Sequence, residues 1–207
     1  VKDECTAENF VSSCENISGV FTGLAAGAAA RKARQSCYGA LASAGMSCVG
    51  GGTLVSIIKN ERPGWVSSPG ALTAFLAAGC AGYYGFFKKG HARPWGTRVS
   101  GAADLVALGG AAVAAGKEIV SGKGNLVTAA LSASLFSVGG GLCCDVVNGK
   151  PPSAFTRSAR AFVVPPIIGA WLYPAVYSPR HPNAAVLLTV AATIGLHKAL
   201  APRSAKK

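Results

Sequence analysis

Long apolar stretches rich in Ala, Gly, Val and Leu alternate with short polar loops along this chain of 207 residues. A helix needs about 20 apolar residues, with about 17 as a practical minimum, to cross ~30 Å of hydrocarbon. The apolar stretches cover residues 17–30, 37–58, 69–87, 99–116, 126–147, 161–178 and 184–200. The pattern therefore predicts seven spans. The first is short: it begins nearer Phe10 or is re-entrant, and six spans is the alternative.

The predicted fold class is all-α, a polytopic integral membrane helical bundle of six to seven transmembrane helices. A polar N-terminal arm (1–16) precedes one transmembrane domain (17–200), and a basic tail (201–207) follows it. Small residues recur inside the spans, as in the Gly23–Gly27 pair, and they let helices approach closely in lipid. The fragment Leu-Ala-Ala-Gly occurs at 24–27 and 76–79, which suggests a hairpin unit used three times before a final helix.

Composition places the chain in a bilayer rather than in water. Only 14% of its residues are charged, against about 25% in soluble domains. The net charge of +12 suggests a polyanion, but the basic residues punctuate apolar segments instead of forming one patch. Nucleic acid is therefore excluded, and anionic lipids such as cardiolipin are the expected partners. The candidate lipid contacts are Arg31, Lys32, Arg34, Lys88, Lys89, Arg157 and Arg160.

Basic clusters fall in alternate loops, which is how polytopic proteins encode their orientation. One side carries the loops 31–36, 88–98 and 148–160 and the C-terminal tail, which together with Lys198 at the end of the last span hold 14 of the 20 Lys and Arg residues. The N-terminus is predicted on the opposite, acidic side. The basic side would be the matrix of a mitochondrion or the stroma of a chloroplast. The chain begins at Val1, and a removed targeting segment would fit an organellar protein.

Asp104 is the first candidate for chemistry, because ionisable groups inside a bilayer are costly and often functional. It lies about one turn into the fourth span, where it handles a proton or cation or forms an intramembrane ion pair with Arg98 or with a lysine of the 88–98 loop. No zinc spacing, nucleotide loop or catalytic motif occurs. His197 lacks the second histidine at similar depth that a haem would need. We therefore expect no enzyme activity, no metal and no cofactor.

Two stretches carry a family resemblance. Gly-Tyr-Tyr and Lys-Lys-Gly within 82–90, and Gly-Lys-Pro-Pro at 149–152, resemble the transmembrane-fourteen family, some of whose members move fatty acids or haem precursors. The Gly- and Ala-rich spans are also similar to the channel-forming subunits of the mitochondrial inner-membrane translocase. Either resemblance implies a small solute or lipid transporter, and neither assigns a role to a residue of this chain.

The absence of a catalytic set, together with spans suited to helix packing, favours a non-catalytic accessory subunit of a large organellar complex. The mitochondrial inner membrane is the expected site, in the respiratory chain or the ATP synthase, with other subunits of that complex as partners. A small solute or lipid transporter is the alternative, with kinked helices such as the one around Pro165 and Pro166 near its substrate site. A thylakoid photosystem-associated subunit is a third possibility.

Overall fold

The fold is an all-helical bundle. The computed structural model describes residues 2–85, 93–147, 149, 151–152 and 160–201. Seven long helices and one short one lie in these ranges, and their bounds match the predicted spans within a few residues at most ends. The elements are α1 (Lys2–Lys32), α2 (Cys37–Lys59), α3 (Gly64–Ser67), α4 (Pro69–Tyr84), α5 (Arg93–Val120), α6 (Leu126–Val147), α7 (Arg160–Val176) and α8 (Pro182–Leu200). The polytopic membrane bundle expected from the sequence is confirmed.

The helices differ in how plainly they suit a membrane. Among the described residues, α2, α6 and α8 are long and apolar enough to cross one, and α7 is apolar but shorter. Helix α1 is 31 residues long and includes the polar segment that was expected to precede the first span. That segment is thus continuous with the span, and the first helix is not short.

Local sequence explains where α2 and α4 begin and end. The Ser36 hydroxyl accepts the Gly39 N–H at 3.2 Å and caps the start of α2. Asn60 ends α2 in the left-handed conformation, with φ 56°, while its N–H and that of Glu61 bond to Ile57 and Ser56 carbonyls. Pro69 opens α4 at a position where its missing N–H costs nothing.

We expect Asn60→Ala to lower the thermal stability of the purified protein by about 1 kcal/mol, because a Cβ-bearing residue other than Asn is strained at positive φ. Asn60→Gly is the matched control, since glycine adopts this conformation freely. Thermal unfolding in one detergent compares the two variants. An alanine variant at least as stable as the glycine variant would contradict the capping role.

Two segments, 50–63 and 139–152, repeat the same design 89 positions apart. Each begins with three glycines and ends in a proline, Pro63 and Pro152. Between them, Asn60 and Gly149 both have positive φ, 56° and 64°. Each donates its N–H to the carbonyl three residues earlier, at 3.1 Å in both cases. Sequence and backbone geometry thus repeat together.

The repeated segments meet through a pseudo-twofold relation between α2 and α6. A Cβ added to Gly51 would lie 2.6 Å from the Phe136 carbonyl oxygen, and a Cβ added to Gly140 would overlap the carbonyl oxygen of Ser47. Ser47 and Phe136 are themselves 89 positions apart, so the two contacts are equivalent. The pairing is antiparallel, because residue numbers rise along α2 as they fall along α6.

Two three-helix units follow from this symmetry: α1, α2 and α4 in the first, and α5, α6 and α7 in the second. Within each unit the three long helices pack on one another, and α2 crosses α6 between the units. Because each unit has three long helices, the second is inverted relative to the first, as in many transport proteins. The repeated hairpin predicted from Leu-Ala-Ala-Gly is therefore wrong: the unit is a helix triplet, followed by α8.

Glycine and alanine make the close packing possible. Gly19, Gly23 and Gly27 form one ridge of α1, and an added Cβ at any of them would overlap α4, at Phe75 or Gly79. The buried core of the second unit is also small-residue-rich, with Ala115, Ala129, Ala133 and Ala170 in one cluster. Because lipid supplies no hydrophobic drive between helices, this backbone proximity provides the dispersion contact that holds them together.

Candidate functional site

A cavity of about 620 Å³ lies between the two units. It follows α5 from Ala107 to Glu118, a rise of about 16 Å at 1.5 Å per residue, or roughly half of the ~30 Å hydrocarbon thickness. Its walls combine hydroxyl-bearing and small residues, among them Thr22, Ser47, Ser56, Ser68, Ser132, Ser137, Gly52, Gly110, Gly140 and Gly141. The glycine triplets therefore form part of the wall as well as the helix crossing.

One ion pair marks one end of the cavity. Lys59 is the last residue of α2 and Glu118 lies in the last turns of α5, and the Lys59 Nζ bonds to Glu118 Oε1. These two side chains are 24% and 19% exposed, so each is partly accessible to solvent. They are the only charged residues among the described ones that line it.

Glu118 is also held from a second direction. The Ser132 hydroxyl, on α6, lies 3.4 Å from the other carboxylate oxygen, Oε2, and donates to it. Ser132 is buried, so this contact fixes the carboxylate against the second unit while Lys59 approaches from the first. A displaced Lys59 would leave Glu118 with one donor and an open oxygen facing the cavity.

The short helix α3 lies at the same end. Trp65 Nε1 donates to Thr53 Oγ1 at 2.9 Å, and Thr53 in turn donates to the Val49 carbonyl at 2.7 Å. Gly64, Trp65 and Ser68 line the cavity together with Lys59. The connection between α2 and α4 therefore forms the wall at this end of the cavity. Residues 60–68 thus fold back over the cavity instead of extending away from the bundle.

At the opposite end the wall includes Ser47, Ala107, Gly141 and Phe162. Gly141 lies toward the C-terminal end of α6 and Phe162 in the first turn of α7, the ends that adjoin the basic loop 148–160, whereas Ser47 and Ala107 lie near the middles of α2 and α5. Phe162, in the first turn of α7, is the one residue of that helix among those lining the cavity. The cavity is thus asymmetric, with an ion pair and an indole at one end and a phenyl ring at the other.

Of the site residues predicted from the sequence, those whose side chains the structure describes do not line the cavity. Asp104 and Arg98 are six residues apart on α5, but their side chains lie outside the described residues, so their ion pair stays a prediction. Lys88, Lys89 and Arg157 also lie outside the described ranges, as does the Lys32 side chain.

Three of the predicted lipid contacts have described side chains, and these three lie at or next to helix ends. Arg31 donates to the Tyr83 carbonyl at 3.1 Å and so satisfies a carbonyl at the C-terminal end of α4. Arg34 is exposed, with φ 54°, and Arg160 is the exposed first residue of α7. Their contact with lipid stays a prediction.

Comparison with solved structures identifies the fold. No protein-family model matches the chain, and no curated protein sequence does so. The chain is similar in structure to a prokaryotic TRIC channel (TM-score 0.74, 15% identity, 92% of this chain and 94% of that one). It is also similar to a TRIC cation channel solved to explain conductance (0.73, 18%, 90% and 90%).

The TRIC trimeric intracellular cation channel orthologue from Rhodobacter sphaeroides gives a TM-score of 0.74 at 19% identity, over 91% of this chain and 95% of that one. Identities this low establish the fold alone. The overlap covers nearly the whole of both chains.

These likenesses overturn the functional interpretation of the sequence. The accessory-subunit expectation is wrong, because the three solved structures compared with this chain are channels. The assignments to the respiratory chain and to the mitochondrial inner membrane conflict with the likeness to channels. The expected partners, other subunits of a large complex, conflict with it too. Integration into a membrane is supported. The transporter alternative agrees better with the fold than the main expectation did.

Proposed function

We propose that this chain forms a cation-conducting membrane channel, with the cavity between its two units as the ion pathway. The observation that carries the proposal is the Glu118 carboxylate, half-buried at the end of a hydroxyl-lined cavity. The structural likeness to TRIC cation channels supports it. A carboxylate and neutral oxygens attract cations, and they replace part of an ion's hydration shell.

Lys59 gives the pathway a closed state. Its ammonium lies on Glu118, where a permeating cation would otherwise bind, so the pair presents no net charge to an entering ion. Lysine is a point charge on a flexible stem, and its movement away from Glu118 would open the position without moving a helix. Ser132 keeps the carboxylate in place during this exchange.

Potassium flux from liposomes tests the proposal. Vesicles loaded with KCl and containing the purified chain should release K⁺ when a protonophore supplies a counter-ion path. When a potassium ionophore supplies a separate path for K⁺, chloride should still remain inside. Protein-free vesicles and vesicles with heat-unfolded chain are the controls. Release of chloride at the same rate as K⁺, or release of neither, would contradict a cation channel.

The similarity to a channel described as trimeric leads to a separate prediction. We expect the detergent-solubilised chain to run as three copies of 20.7 kDa in a mass measurement by light scattering, corrected for bound detergent. A monomer under mild extraction would separate this chain from that assembly, while leaving the cavity within one chain intact.

An inverted pair of helix triplets also favours a second candidate, a carrier for a small solute, because many secondary transporters are built from inverted repeats. The two functions differ in rate and form. A channel gives discrete unitary currents in a planar bilayer, whereas a carrier gives slow, saturable flux without them.

A further inference from the structure

The last helix, α8, has no counterpart in the first unit, and its C-terminal end packs on the first turn of α7. His197 Nδ1 lies 2.6 Å from the Ala161 carbonyl oxygen. Because a carbonyl oxygen only accepts hydrogen bonds, Nδ1 carries the proton and donates it. This is a long-range bond, made between residues 36 positions apart.

Prolines explain why that carbonyl is available. In a helix, the Ala161 carbonyl would accept the N–H of residue 165 and the Phe162 carbonyl that of residue 166. Both positions are proline, which has no N–H and clashes with the preceding turn. The first turn of α7 therefore lacks two consecutive helical hydrogen bonds, and His197 supplies a replacement for the first of them.

The same histidine contacts the residue that reaches the cavity. The rings of Phe162 and His197 meet edge to face, with centroids 4.9 Å apart and planes at 68°. Phe162 lines the cavity at the end away from the ion pair. His197 of α8 thus makes two contacts with the first turn of α7. It hydrogen-bonds to the backbone of that turn, and it packs on the Phe162 ring, which lines the cavity.

We propose that His197 is a positioning residue for Phe162, holding the first turn of α7 and its phenyl ring against α8 and out of the ion path. The proposal rests on the proposed channel function. Loss of the hydrogen bond frees the turn at its proline pair, and the ring moves into the water-filled end of the cavity. The ring then obstructs ions, and position 162 becomes more accessible to water.

Two variants of the full chain separate the bond from the packing. His197→Asn places a donor near the position of Nδ1, whereas His197→Phe keeps an aromatic ring against Phe162 and removes the donor. One hydrogen bond of this kind shifts a two-state equilibrium about fivefold. We expect His197→Phe to lower the open fraction in planar bilayers by that factor, and His197→Asn to restore it toward wild type.

A second measurement does not depend on conduction. The rate at which a water-soluble maleimide labels Phe162→Cys measures how accessible position 162 is to water. The same chain with Phe162 intact gives the background rate from the other cysteines. Adding His197→Phe should raise that rate about fivefold, and adding His197→Asn should leave it near the Phe162→Cys value.

The outcomes distinguish the two proposals. If wild type conducts while His197→Phe changes neither the open fraction nor the labelling rate, the positioning role is wrong and the channel stands. If wild type does not conduct but the labelling rate responds as expected, the channel is wrong and the tether between α8 and α7 stands. Equal losses in the Asn and Phe variants would also overturn the role, because they would indicate general destabilisation.

Discussion

Replacing Lys59 by glutamine raises cation flux, and replacing Glu118 by glutamine lowers it. The first variant leaves an uncompensated carboxylate in the pathway, and the second leaves an uncompensated ammonium. Two unit charges 4 Å apart interact by about 4 kcal/mol at an effective dielectric constant of 20, and water in the cavity screens part of this. A residual 1.4 kcal/mol is a tenfold effect, so we expect the two variants to differ in K⁺ flux by about tenfold or more.

The double variant Lys59→Gln/Glu118→Gln is the matched control, because it removes both charges and leaves the wall neutral. Its flux should lie between the two single variants. All three are compared at equal amounts of folded protein in the vesicles, since breaking a partly buried ion pair also costs stability. Equal flux in both single variants would show that the ion pair does not lie in the ion pathway.

Gly140→Val prevents normal assembly of the bundle, whereas Gly141→Val is tolerated. A side chain at Gly140 would overlap the carbonyl oxygen of Ser47 on α2, while one at Gly141 meets no atom within 4 Å. Overpacking costs typically 1–3 kcal/mol and more where backbone must move. Both substitutions replace glycine by valine in one helix, so the change in helix propensity largely cancels between them.

Thermal unfolding and folded yield in detergent measure the difference. We expect Gly140→Val to be less stable than Gly141→Val by about 3 kcal/mol. Gly51→Val, the symmetry-related change, should behave like Gly140→Val because it overlaps the carbonyl of Phe136. Similar stabilities for the variants at 140 and 141 would show that α2 and α6 do not cross at these glycines.

The helices were predictable because their cause is local. Apolar runs of the right length define the spans, and residues such as Ser36, Asn60 and Pro69 define ends by hydrogen bonding or by a fixed φ angle. The inverted repeat was also written in the sequence, as two glycine triplets each followed by a proline. Reading the glycines only as packing residues missed their common spacing, and a short Leu-Ala-Ala-Gly match suggested the wrong unit.

The candidate site could not be predicted in the same way. The predicted spans ended at residues 58 and 116, just before Lys59 and Glu118, so both were assigned to loops. Their pairing joins residues 59 positions apart on two different helices. It depends on how the two units dock, which no local spacing encodes. Asp104 is the sequence candidate because it lies inside a predicted span, but its side chain lies outside the described residues. Glu118, just beyond the end of that span, is the carboxylate that lines the cavity among the described residues.

The accessory-subunit expectation failed for a related reason. An enzyme site leaves a set of catalytic side chains in the sequence, whereas an ion pathway of this kind is lined by glycine backbone, serine hydroxyls and one carboxylate. Such residues also occur in helix interfaces, where small groups allow close approach. Only their arrangement around a shared space separates a pathway from ordinary packing.

The reversal potential of the purified chain in a planar bilayer, under a tenfold KCl gradient, tests the ion pathway most directly. An ideal potassium-selective pathway reverses about 59 mV from zero, toward the potassium equilibrium potential. We predict that wild type and Lys59→Gln reverse on the potassium side and that Glu118→Gln shifts toward zero. No current, or a reversal at zero or on the chloride side for wild type, would contradict cation conduction through this cavity.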